Sequence, residues 1–351
     1  MSAKGVITAP VPCVTGDGEI LGDIVMVAHS IRKERTGIHA AVSIRWNRNQ
    51  LEGDLFNIER NEERRKLAAG SWKLLPIEAK AVFSNEKMKA ELDLFCEGLW
   101  EAHIGRIEVE NLSPDPNRRP LRMLGPYTVD HGGTIIFGQP GATKTWIAML
   151  VAQTINSGSN AVWEKVSKSH PVLFINLERD KTYFEERLAQ INLTLGLPET
   201  YPMQSIHRRG ASLKDVEHAA ERFVQENGTE IVFLDSISRA GAGDILQQHV
   251  ANEVMDTMNR ICPTWVAIAH APKPQKDGGP ATVLGAQSFG AAADLTVNVT
   301  SDVYPDRIVS HLAIGKSNIK LSGKLPSILL DMSSGKLTSA RLVGEPEWQV
   351  S

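Results

Sequence analysis

The chain has 351 residues, 42% of them hydrophobic, 23% charged and 6% aromatic, with 28 Gly and 18 Pro in no regular period. This composition excludes a disordered tail, a coiled coil and a collagen-like fibre, and the length predicts a core of roughly one to two hundred residues plus an accessory unit. A formal net charge of −3 excludes a global positive field for nucleic acid, so any such binding must come from a local patch or a channel formed on assembly.

No stretch approaches the roughly 20 apolar residues that span a bilayer, and the opening residues carry no charged-then-apolar signal, so a soluble, non-exported, cytoplasmic protein is expected. Cys13, Cys96 and Cys262 stand far apart with no CxxC pair, which supports neither a disulfide framework nor a zinc module and fits a reducing compartment.

In chain order, residues 23–30 and 38–46 are apolar or alternating with β-branched residues, and the charged, glycine-containing segment 31–37 joins them; this predicts a β-hairpin. Arg32, Lys33, Arg35, Arg45 and Arg48 lie on or beside it, either as a DNA or partner surface or as solvated strand faces. A charged helix is expected over 58–70. Residues 85–103 place Met88, Leu92, Phe95, Leu99 and Trp100 at three- and four-residue spacing, one apolar helical face that packs on its own domain or on a neighbouring subunit. Three prolines between Leu112 and Pro120 forbid a continuous helix. The expected organisation is an α+β accessory domain at 1–111, a linker at 112–124 and a catalytic-type domain at 125–345.

Beyond Gly125 the texture alternates. Apolar runs at 134–137, 172–177, 231–234 and 265–269 alternate with helical patterns at 145–156, 183–195, 213–226 and 250–261. Continuously apolar strands imply burial on both faces, hence an α/β fold with a largely parallel sheet flanked by helices. After Asp294 the pattern is strand, at 295–300, 307–314, 327–331 and 336–343.

The strongest local signal is a buried strand followed by Gly138, Gln139, Pro140, Gly141, Ala142, Thr143, Lys144, Thr145 and Trp146, opening an apolar helix. Such a loop aims backbone N–H groups and a helix N-terminus at a phosphate; Lys144 would reach the β- and γ-phosphates and Thr145 would give its hydroxyl to Mg²⁺. Thr143 stands where G-x-x-x-x-G-K-[ST] has its second glycine. Asp235 ends an apolar strand, as a Mg²⁺-holding carboxylate does, although Asp also caps helices and forms turns. Glu178 ends another, where it could polarise a water attacking the γ-phosphate or simply begin the next helix.

Taken with Leu234-Asp235-Ser-Ile-Ser-Arg239, Ile268-Ala-His270-Ala-Pro-Lys273, the segment 285–294 and Ile314-Gly-Lys316-Ser-Asn-Ile-Lys320, these motifs resemble the RecA-like ATPases, most closely the RepA-type branch of hexameric replicative helicases and their phage and plasmid relatives. The resemblance spans about 121–343. It implies a RecA-like core with C-terminal β-hairpins, ATP and Mg²⁺ as ligands, a homohexamer, and single-stranded DNA held by central loops. It also implies Glu178 as catalytic glutamate and His270 as γ-phosphate sensor. Branch members tolerate a non-glycine residue before the loop lysine. The segments 239–244 and 271–287 match the DNA-binding loops, with Arg239, Lys273 and Lys276 as contacts, or are plain solvent loops. Lys316 matches the lysine of a pair that reaches a neighbour's γ-phosphate; Asn318 replaces the arginine, with Lys320 two residues on. Further expected partners are replication proteins. The rival expectations are a recombination or repair ATPase or loader on DNA, and a nucleotide-binding scaffold without turnover.

Overall fold

Alternating burial along the first strands organises a four-stranded antiparallel sheet in the computed structural model. The structure describes residues 6–34, 36–105, 111–117, 119, 121, 123–163, 168–241, 243–272, 283–284, 287–319, 321–344 and 349–350. Two units divide the chain, Met1–Pro114 and Asp115–Ser351.

In the first unit the strands are β1 (Ile7–Val14), β2 (Ile20–Glu34), β3 (Gly37–Trp46) and β4 (Asn49–Asn57), paired in that order. The expected β2–β3 hairpin is present and longer than the pattern suggests. A bulge between His29 and Arg32, with Ser30 at φ +51°, lets β2 run on through the segment read as its connection. β1 carries Pro10 and Pro12, which argue against a strand; at the sheet edge a strand has one side whose N–H groups need no partner, so the prolines are tolerated. Arg32 and Lys33 flank the β2–β3 turn, whereas Arg45 and Arg48 lie at the β3–β4 end about 20 Å away along the strand, so the basic residues form two groups rather than one. Arg35 lies outside the described residues.

Ile24, Met26, Ala28, Ala40, Val42 and Ile44 share the buried face, covered by α1 (Asn61–Lys73), α2 (Ile77–Val82) and α3 (Asn85–Ile104). α1 begins later than the expected helix because Ile58 still donates its N–H to Ile38. Ser84 caps α3, its hydroxyl accepting the Lys87 N–H at 3.1 Å. Met88, Leu92, Cys96 and Leu99 are buried in this core, with Phe95 and Trp100 packed against it, so the α3 face is covered by its own unit.

The second unit is built on β5 (Gly133–Gly138), α4 (Lys144–Ser157), β6 (Val172–Asn176), α5 (Lys181–Thr194), β7 (Gln204–His207), α6 (Leu213–Asn227), β8 (Ile231–Asp235), α7 (Ile237–Ala240), α8 (Gln248–Ile261), β9 (Trp265–His270) and α9 (Gln287–Ala292). Then follow β10 (Leu295–Val303), β11 (Arg307–Ser317), β12 (Leu321–Ser322), β13 (Lys324–Ser333), β14 (Lys336–Val343) and β15 (Gln349–Val350), with β12 and β15 paired separately.

Nine strands run β14-β13-β11-β10-β5-β9-β8-β6-β7, parallel from β10 to β7 and antiparallel from β10 to β14. Along β5, Ile136 enters one core and Ile135 and Phe137 the other; Phe174 and Phe233 stack at 5.8 Å in the first, while Leu173, Ile175, Val232 and Leu234 fill the second. Two buried faces explain the uninterrupted apolar strands. α4 and α5 cover one face, and α6, α8 and α9 the other. This is the expected α/β, RecA-like architecture. β7, polar and only four residues long, gives no such sequence signal.

All three cysteines are free and buried. Among the described residues no helix is long and apolar enough to cross a membrane.

Candidate nucleotide site

Parallel strands end on one edge of a sheet, and the loops there define the site. β5, β9, β8 and β6 are successive neighbours, so the chain after each of them, Gly138–Lys144, His270, Asp235–Ser236 and Glu178, converges although up to 132 residues separate the segments in sequence.

Gly138 has no room for a side chain: a Cβ there would collide with the Val299 carbonyl oxygen on β10. Gly141 turns the loop at φ +85°, and Thr143, also left-handed at φ +56°, delivers it into α4. Lys144 is buried and its Nζ donates to the Gly138 and Gln139 carbonyls at 3.0 and 2.8 Å. Burial lowers its pKa, opposed by the charges of Asp235 and Glu178. The Gln139 amide donates to the Pro272 carbonyl, and the Ala271 N–H to Gly138 O at 2.9 Å, so the loop is joined to the segment leaving β9.

Thr145 donates its hydroxyl to Asp235 Oδ2 at 2.9 Å. Asp235 is 2% exposed, and its pKa is raised to about 6, first by burial and then by the Glu178 charge, against the Thr145 bond. A buried carboxylate held away from its charged form, beside a hydroxyl and a phosphate-type loop, is a set of hard oxygen donors fit for a small divalent cation. Glu178 Oε2 accepts from Ser236 Oγ at 2.6 Å, and Ser236 bonds Ser238 at 2.7 Å. Asn176 Oδ1 accepts the N–H groups of Glu178 and Arg179 at 3.2 and 2.9 Å, fixing the turn on which Glu178 stands. His270 has its pKa lowered by burial and then by Lys144, and its buried Nδ1 has no hydrogen-bond partner among the described residues.

Thus Gly138–Trp146, Glu178, Asp235 and His270 come together. Arg239 is exposed on the last turn of α7, close enough to His270 for its charge to act on it. Lys316 stands elsewhere. Its backbone N–H meets Thr296 at the start of β10, about 10 Å along the strand from Val299 beside the loop, and its Nζ donates to Gly290, Ala291 and Ala293 carbonyls at 3.1, 2.7 and 2.8 Å. Asn318 donates to Asp294 at 3.0 Å. Lys273, Lys276 and Lys320 lie outside the described residues.

Sequence reasoning misses Asn176, Ser236 and Arg187. The Arg187 guanidinium lies over the Trp146 ring at 5.0 Å and interacts with Asp235. A signal existed for it, because Arg187 shares the inward helical spacing of Phe184, Leu188 and Ile191.

Residues 106–276, just under half of the chain, match a family model described as an AAA domain. The larger unit is a RecA-like P-loop ATPase domain. Among solved structures, the chain is similar to the ATPase domain of a helicase, at 12% identity and a TM-score of 0.46, covering 60% of this chain and 85% of that one. No curated protein matches.

Proposed function

We propose that the chain is an ATP-hydrolysing motor that acts on single-stranded DNA as a homohexameric replicative helicase. The observation that carries the hydrolytic reading is the Thr145–Asp235 pair beside Lys144, with Glu178 presented from the neighbouring strand end. Lys144 would leave its loop carbonyls for the β- and γ-phosphates, and the backbone N–H groups of 141–145 would cradle them. Thr145 and ionised Asp235 would hold Mg²⁺, which spreads the phosphates' negative charge when bound. Glu178, released from Ser236, would orient the attacking water and take its proton at a carboxylate oxygen. His270 would report on the γ-phosphate.

Support for coupling to DNA comes from the two links between the loop and the segment after β9, Gln139 to Pro272 and Ala271 to Gly138, and from Arg239 following the Ser236–Ser238 pair that touches Glu178. Weak basic contacts per chain become strong when multiplied around a ring. Lys316, Lys320, Lys273 and Lys276 belong to this reading as trans-acting and DNA-contacting residues, 1–111 as a partner- or DNA-docking accessory domain, and replication proteins as partners.

The test is ATP turnover with and without single-stranded DNA over a salt series, with mass photometry of the same sample. DNA-stimulated turnover and a six-subunit species with nucleotide are expected, and Glu178→Gln keeps ATP binding while turnover falls by about 100-fold or more. Background turnover by the unmodified chain refutes the motor reading, and a filament distribution refutes the ring.

A further inference from the structure

A β-branched residue at positive φ is a genuine departure from backbone preference, and Thr143 takes it up at φ +56° immediately before Lys144 and Thr145. Glycine would adopt this conformation without strain. What Thr143 has and glycine lacks is a hydroxyl with three close partners. Its Oγ1 lies 2.7 Å from Ser310 Oγ and 3.0 Å from Ser301 Oγ, and it donates to the Ala142 carbonyl at 2.8 Å. Ser301 and Ser310 face each other across β10 and β11 in direct register, and Ser310 has no solvent exposure.

The donors and acceptors balance. Thr143 gives its one proton to Ala142 O, and its two lone pairs accept the protons of Ser301 and Ser310, so no buried hydroxyl is left unpaired. The cluster joins the last residue of the phosphate loop to the antiparallel ribbon beside it. Without it the loop is fixed on that side by the close approach of Gly138 to Val299 alone.

We propose that Thr143 is a positioning residue whose hydroxyl, held by Ser301 and Ser310, tethers the phosphate loop to the β10–β11 ribbon and sets the loop's affinity for a nucleoside triphosphate. The inference rests on the reading of this loop as an ATP site. It makes the departure from the glycine pattern an exchange of backbone freedom for a fixed anchor. Moving Thr143 moves the helix start that carries Lys144 and Thr145, so the anchor acts on binding before it acts on the chemical step.

The test measures MgATP binding by isothermal titration, with KM and kcat beside it, for the unmodified chain and for Thr143→Gly, Thr143→Val, Thr143→Ser and Ser310→Ala. Thr143→Gly restores the commoner motif residue and removes the strain, yet it is expected to weaken binding and raise KM about 3- to 10-fold, the scale of one or two hydrogen bonds, with kcat within about twofold. Thr143→Val keeps the shape and loses the hydroxyl, so it follows glycine. Thr143→Ser restores affinity, and Ser310→Ala weakens it in the same direction. Binding by Thr143→Gly as tight as that of the unmodified chain, or tighter, overturns the proposal. If the unmodified chain binds no MgATP, the ATP-site reading falls first and the tether with it; if it binds without turnover, the dissociation constants alone still decide.

Discussion

Replacing Asp235 by Asn is expected to stabilise the second unit while abolishing turnover. The carboxyl is buried at the end of β8, and burial and the Glu178 charge hold its pKa at about 6 instead of 3.8. The raised value means that the folded chain binds the proton more tightly than the unfolded chain. Above about pH 7 both are ionised and the folded state bears the full penalty, about 3 kcal/mol; below 3.8 both are protonated and the penalty vanishes. Asparagine keeps an oxygen to accept the Thr145 hydroxyl and removes the buried charge. Urea unfolding in EDTA should therefore show Asp235→Asn more stable by about 1–3 kcal/mol at pH 7.5, with the gap shrinking to under about 1 kcal/mol at pH 4. Loss of the cation-holding carboxylate should reduce MgATP turnover to background. A variant less stable than the parent at pH 7.5, or a gap that ignores pH, would refute the account of Asp235 as a strained, functional carboxylate.

Two further outcomes follow from the same geometry. Gly138→Ala drives a methyl into the Val299 carbonyl, so β5 and β10 must separate at the loop; circular dichroism melts should show a loss of about 2 kcal/mol or more, and nucleotide binding should fail. Lys316→Met leaves the Gly290, Ala291 and Ala293 carbonyls without their shared donor, a cost of about 1–3 kcal/mol visible in the same melts; an unchanged midpoint would show that the ammonium is free for other work.

The chemistry of the site was written in short local patterns. A buried strand, a glycine-bearing loop and a Lys-Thr pair opening a helix need only neighbouring residues, and so do strands ending in Glu178 and Asp235 or the apolar spacing of α3. Local spacing reaches no further than one element, which is why β1, with its two prolines, could not be read until its edge position was known. Arg187 followed an inward helical spacing whose meaning depended on Trp146 beside it. Tertiary structure alone decided that β9 and β8 stand between β5 and β6, bringing Glu178 and Asp235 to the same edge as Lys144. It also turned Thr143 from a motif exception into a residue held by two serines from strands more than 150 positions away, and committed Lys316 to the end of α9. The physical reason is the same in each case: strand order and register are fixed by burying two sheet faces at once, a condition on the whole chain that no single segment carries.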